Sequence, residues 1–194
     1  MSIRGSNAFY FSAIHIIMVV GCLGLTEQQR SKFPKVKAKV EGTLIAWHFE
    51  KGMSEDEILD MLLGKKPLRG LKKRESKKNQ IQNLSSLVSA FGYVVAQYAF
   101  NGQTSSYSPG IVIQTSTTTY HLPFSTVFPS ASGNSVIITY IAIDTSSNAY
   151  TTSGAILVTT SGGYAIEIAT SSIAVTKQSD EDIAYTWIIT ITFT

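Results

Sequence analysis

One cysteine, Cys22, stands in 194 residues, so the chain cannot close a disulfide within itself. A single thiol cannot build a thiolate zinc site either. Charge is scarce at 15% of residues, low for a soluble monomer with a solvated surface. The scarcity is uneven: fifteen of the sixteen basic residues precede residue 79, and only Lys177 follows. Against the acids this leaves residues 1–78 at +7 and residues 79–194 at −4. A basic front joined to a nearly neutral back suggests an anionic partner for the front, a membrane surface or nucleic acid.

Catalytic patterns are missing as well. The chain has no G-x-S-x-G, no P-loop and no dinucleotide fingerprint. His15, His48 and His121 fall in three separate stretches, none with a second ligand at metal spacing. Asp144 and Glu167 are isolated and read as solvent-facing carboxylates rather than an acid–base pair. Asp180-Glu181-Asp182 is a short acidic turn without the alternating ligands and Gly of a calcium loop. The expectation is a protein that is no enzyme, with no cofactor, no metal and no small-molecule substrate.

Two uncharged apolar stretches are present. Residues 8–25 (AFYFSAIHIIMVVGCLGL) lie at the lower edge of bilayer-spanning length. Gly21-Cys22-Leu23-Gly24 is a weak signal-peptide cleavage site. The stretch is expected to enter a membrane or lie between subunits, with Phe9, Phe11, Ile14, Ile16, Ile17, Val19, Val20 and Leu23 as the anchor. Residues 84–100 are the second stretch, less apolar, with Tyr93, Tyr98 and Phe100 as an aromatic belt or the root of a β domain.

Between them, residues 36–51 carry apolar side chains at 36, 40, 44, 45, 47 and 49, an imperfect helical face. Ser54-Glu55-Asp56-Glu57 is a capping box opening a helix over 54–63, with Gly64 as its terminator. A helix pair of this kind also permits a helix-turn-helix reading, which the acidic start of the second helix disfavours. The run from Lys65 to Lys78 holds eight basic residues and one acid. Lys65, Lys66, Arg69, Lys72, Lys73, Arg74, Lys77 and Lys78 form a patch that could meet lipid headgroups or nucleic acid without base selectivity, or simply a solvated tether.

From residue 110 the period becomes two. In Asp182–Thr194 the side chains of Ile183, Tyr185, Trp187, Ile189, Ile191 and Phe193 fall on one face, with Thr and Ala dominating the other. Further strands are expected at 111–119, 136–143, 155–159, 164–170 and 173–176, with His121–Pro129 as a non-strand excursion. Tyr185, Trp187, Ile189, Ile191 and Phe193 form a candidate assembly strand exchanged between subunits. The predicted fold class is α+β in segregated halves. Residues 1–80 are helical and basic, 81–103 an apolar connector, and 104–194 an antiparallel sandwich or jelly-roll-like domain.

Thr115-Ser116-Thr117-Thr118-Thr119-Tyr120, Ile137-Ile138-Thr139-Tyr140 and Trp187-Ile188-Ile189-Thr190-Ile191-Thr192 give the back half a texture that resembles surface proteins of thermoacidophilic archaea and of their virions. That resemblance implies a non-enzymatic structural protein of a virus particle, in its capsid, at a vertex or at its envelope. Its partners would be further copies or other virion subunits, with membrane lipid and non-specific nucleic acid as additional contacts. The alternative is a pilin-like or adhesive filament subunit at the cell surface. Archaeal pilins are similar in outline at Lys77-Lys78 followed by Leu84–Phe100, but Gln80-Ile81-Gln82 stands where their processing site would be.

Overall fold

The computed structural model describes residues 38–81, 109–161 and 164–193. Ten strands and one helix follow in the order β1 (Ala38–Glu50), α1 (Glu55–Leu62), β2 (Leu71–Ile81), β3 (Gly110–Thr115), β4 (Thr119–Pro123), β5 (Thr126–Ser132), β6 (Ser135–Asp144), β7 (Tyr150–Ser161), β8 (Tyr164–Ser171), β9 (Thr176–Lys177) and β10 (Glu181–Phe193). Nine strands form one hydrogen-bonded path, β4-β3-β7-β8-β2-β1-β10-β6-β5, and β9 pairs β7 beside it. Every pairing is antiparallel.

The path folds into two layers. β5-β6-β10-β1-β2 make the first sheet and β4-β3-β7-β8 the second. The layers join where Gln80 and Ile81 of β2 pair with Thr170 and Ala169 of β8. On the other side, Phe124 and Ser125 carry the chain from β4 to β5, the two ends of the path. The Phe124 N–H donates to Pro109 O (3.3 Å) and the Ser125 N–H to Ile141 O (2.8 Å). The result is a two-layered sandwich whose end strands, β4 and β5, are linked only through the chain at Phe124 and Ser125.

The space between the layers is filled from both sides. β10 sends in Ile183, Tyr185, Trp187 and Ile189, and β6 adds Ile138, Tyr140 and Ala142. Ile111 and Ile113 of β3, Leu157 of β7 and Ile168 of β8 close it from the other layer. The outer face of the first sheet is packed too, at one end. There α1 lays Ile58 and Met61 on Phe49 of β1 and Ala184 of β10, with Trp47, Leu62 and Ile143 around them. Ser54 caps this helix by accepting from the Glu57 N–H at 3.2 Å, and Gly64 terminates it at a φ of 72°. Glu57 completes no reciprocal box. It pairs with Arg69 instead.

The segregated α+β expectation is overturned: the described residues are mostly strand, and the one short helix among them is not at the N-terminus. Residues 38–50, expected to be helical, are the long strand β1. Both faces of β1 are covered, by the core at Leu44 and Ala46 and by α1 at Phe49. A strand buried on both faces loses the period-two signature, and its apolar residues then fit a helix as well as a strand. With β1 a strand, the described residues hold no helix pair over 36–63 and the helix-turn-helix reading of that stretch falls. The tether expected at 65–78 is a loop followed by the regular strand β2. His121–Pro129 is likewise no excursion: it contains the end of β4 and the first part of β5. Pro129 is tolerated because β5 is the last strand of the path and hydrogen-bonds only to β6. The capped helix and the strands at 135–144, 164–171 and 181–193 lie where the patterning put them, whereas the strand expected at 111–119 stops at Thr115 and only Thr176 of the one expected at 173–176 is strand.

Candidate functional site: a basic edge strand above a buried ion lattice

β1 ends at Glu50, β6 ends at Asp144, and β7 and β10 begin at Tyr150 and Glu181. Antiparallel pairing therefore gathers the connections 51–54, 145–149 and 178–180 at one end of the sandwich. Charged side chains fill that end. Asp182, fully buried, accepts from the Lys51 ammonium at 2.8 Å and from the Gly52 and Met53 N–H groups at 2.9 and 3.2 Å. Lys51 also donates to the carbonyls of Thr145 and Ser146.

Lys177, with 0% exposure, donates to Ser146 O at 2.6 Å and Asn148 O at 2.9 Å. Its ammonium lies 4.0 Å from Asp144. Asp144 in turn accepts from the Ser146 N–H (2.8 Å) and the Tyr150 hydroxyl (2.9 Å). Two ammonium groups thus converge on one loop, and Ser146 O serves both. Burial pushes Lys177 below its ordinary value, opposed by Asp144. Burial, then the neighbouring Tyr185 and the Asp144 carboxylate, push the Tyr150 phenol far up, so it stays a donor.

A second set lies across β2, β1 and β10. His48 is buried, with Nδ1 at 3.2 Å from Glu181 Oε2 and Nε2 at 3.3 Å from Glu75 Oε1. The Glu75 contact is poorly angled, since both of its atoms lack a well-formed hydrogen bond, so we regard the Glu181 bond as the stronger. Burial raises the Glu181 pKa, but the Gln178 N–H, His48 and Lys72 outweigh it and hold the carboxyl below its ordinary value. A carboxylate with a depressed folded pKa contributes stability that is complete above its unfolded value and vanishes as pH falls through the folded one. Glu181→Gln should therefore flatten the acid limb of a melting-temperature-against-pH profile below about pH 4.5. An unchanged acid limb would refute the assignment.

Above this lattice runs β2. Lys73 pairs with Glu75 at 2.8 Å, and Lys72 approaches Asp180 and Glu181 at 3.7 and 3.9 Å. Arg74 stacks on Trp47 at 4.6 Å from the ring centroid, Lys77 reaches Ser172 O at 3.4 Å, and Lys78 is exposed. In the preceding loop Lys65 and Lys66 both pair with Asp60, and Arg69 pairs with Glu57. The structure thus spreads the predicted basic patch over one loop and one strand, with much of its charge neutralised locally. From Leu71 to Lys78 the outer side of β2 meets no strand among the described residues. Lysines there have a plain structural use, since they discourage other strands from pairing with a free edge.

The other predicted residues fall elsewhere. Phe9, Phe11, Ile14, Ile16, Ile17, Val19, Val20 and Leu23 lie outside the described residues, as does nearly all of the 81–103 connector. Among the described residues no helix is long and apolar enough to cross a membrane. Tyr185, Trp187 and Ile189 point into the chain's own core, with Ile191 and Phe193 packed at its margin. Within the chain β10 pairs with β1 on one side and β6 on the other. Asp144 is a buried lattice member rather than a solvent-facing acid, and Asp182 of the expected acidic turn is buried in the same lattice. Their signal in the sequence was Lys177, the lone cation of the back half, placed next to the acidic triplet. Among the described residues no group of His, Cys, Asp and Glu is arranged to hold a metal ion.

Fold and site together define an all-β sandwich with a charged, internally neutralised end and a basic edge. Among curated proteins the chain is similar to Uncharacterized protein ORF338 of Acidianus filamentous virus 2 (isolate Italy/Pozzuoli). The two are 37% identical over 164 residues, covering 82% of this chain and 43% of that protein. The chain thus corresponds to less than half of its viral relative. No family model matches the sequence. No solved structure matches the fold.

Proposed function

We propose that the chain is a non-enzymatic structural protein of a virus particle. The similarity to a protein of an archaeal filamentous virus carries this reading. The architecture supports it: two layers held by long antiparallel strands and an end locked by buried ion pairs. Such a body suits repeated packing against neighbours. Peptide mass spectrometry of gradient-purified particles tests the proposal. The chain is expected at an abundance comparable with other particle components, and recovery only in the host-cell fraction would overturn it.

Within this reading β2 is the surface that meets phosphate-bearing polymer. Arg74 and Lys78 point to the same outer side, opposite Trp47 and Thr43 of β1, and neither is paired with a carboxylate among the contacts described. Replacing both with Glu should lower the slope of log affinity against log salt for duplex DNA by about 2, the value for two lost phosphate contacts. An unchanged slope would show that β2 is only a protected edge.

A further inference from the structure

His48 closes the inward face of β1, beyond Leu44 and Ala46 and just before the irregularity at Phe49. It is 1% exposed, and each of its ring nitrogens faces a carboxylate. An imidazole with one proton can donate to only one of them. The well-formed bond joins Nδ1 to Glu181 Oε2 at 3.2 Å, so in the single-proton state the hydrogen sits on Nδ1 and Nε2 presents a lone pair. That lone pair faces Glu75 Oε1, 3.3 Å away, which in a carboxylate is only an acceptor. Neither atom has a hydrogen-bond partner among the described residues, and both are shut off from solvent.

A second cation reaches the same oxygen. The Lys73 ammonium lies 2.8 Å from Glu75 Oε1, close enough for an ion pair, although its angle also misses a hydrogen bond. The Lys73 side chain is 57% exposed, so it can leave for water at little cost, whereas the buried ring cannot move away. Glu75 thus stands between a mobile cation and a fixed ring that becomes cationic on taking a second proton. Histidine is the side chain whose ordinary charge change falls between about pH 5 and 8. The charged and titratable groups around the ring are Glu75, Lys72 and Lys73 from β2, Glu181 and Tyr185 from β10, and Asp180 from the turn before β10. Lys177 of β9 lies within the electrostatic reach of Glu181, with Asp144 behind it, and Glu50 and Lys51 follow His48 in the chain. Burial pushes the Tyr185 phenol far up, so it stays neutral, and Glu181 is held below its ordinary value, so it stays an acceptor.

We propose that His48 is a proton-operated switch. When the ring takes its second proton, Nε2 becomes a donor, Glu75 passes from Lys73 to the ring, and Lys73 is released to the surface of β2. The same step links β10 to β2 through a single side chain, in the order Glu181–His48–Glu75. The proton gained and the lysine released both make this strand more cationic, with Lys73 added to the unpaired Arg74 and Lys78. Where β2 meets a phosphate-bearing polymer, its affinity then rises as pH falls. That consequence rests on the polymer reading of β2, whereas the switch rests on the four side chains alone.

Competitive labelling of the full chain with trace acetic anhydride, read by peptide mass spectrometry, tests the switch. Lys78, exposed on the same strand, is the internal standard, so the common effect of pH on amines cancels in the Lys73-to-Lys78 ratio. Between about pH 8 and pH 5.5 the ratio should rise about threefold, the scale of releasing an exposed ion pair. In His48→Gln it should stay flat. In Glu75→Gln it should be high at both pH values, and this partly exposed position serves if His48→Gln does not fold. A flat ratio in the parent overturns the proposal. So does a rise that survives in either variant, which assigns it to another group. A low ratio in Glu75→Gln overturns it as well, because Glu75 then never held Lys73. Duplex DNA at the same two pH values tests the consequence: binding should strengthen in acid for the parent and not for Glu75→Gln. Absence of binding at every pH overturns the polymer reading of β2, while the labelling still decides the switch.

Discussion

Asp182→Ala should cost about 3–5 kcal/mol, the loss expected when one partner of a buried ion pair is removed and the other stays. The substitution strips the Lys51 ammonium and two backbone N–H groups of their acceptor at once, at a position with no solvent access. Water cannot replace the carboxylate without opening the end of the sandwich. Lys51→Met should cost less, because the Lys51 side chain is 31% exposed and Asp182 keeps both backbone donors. Urea unfolding with an unchanged slope measures both variants. A loss for Asp182→Ala of less than about 1 kcal/mol, the level of a surface pair, would show that the lattice is ornamental to stability.

Trp187 yields the second large effect. It is the bulkiest fully buried side chain, at the centre of β10 between Tyr140 of β6 and Leu44 of β1. Trp187→Ala should cost about 3–5 kcal/mol through lost burial and the cavity left behind. Its indole N–H, however, is buried without an acceptor. Trp187→Phe gives up some area but removes that orphan donor, and should stay within about 1.5 kcal/mol of the parent. If the Phe variant falls as far as the Ala variant, the indole N–H has a partner in the native state.

Legibility differed between the two halves for a definite reason. Strand β10 and helix α1 could be read directly. One alternates Ile, Tyr, Trp and Phe with Thr over thirteen residues, and the other is announced by Ser54 and closed by Gly64. β1 misled because α1 covers its second face, and that contact lies outside any local window. β2 misled because a strand at an edge needs no apolar residues at all, so its lysines look like a tether. The basic residues of 65–78 were legible as a list, but their local carboxylate partners were not. Asp60, Glu57 and Glu181, which answer Lys65, Lys66, Arg69 and Lys72, are brought to them by folding.

The order of residues alone determined a basic front, a charge-poor β back, a capped helix at 54–63 and the inward face of the last strand. These follow from short-range rules of capping and alternation, which each segment obeys by itself. Tertiary structure alone decided that Lys177 finds Asp144 across 33 positions, and Lys51 finds Asp182 across 131. It also put the final strand between β1 and β6 of its own chain. Such choices are made by which strands pair and in what register, and register is set by the whole sheet at once.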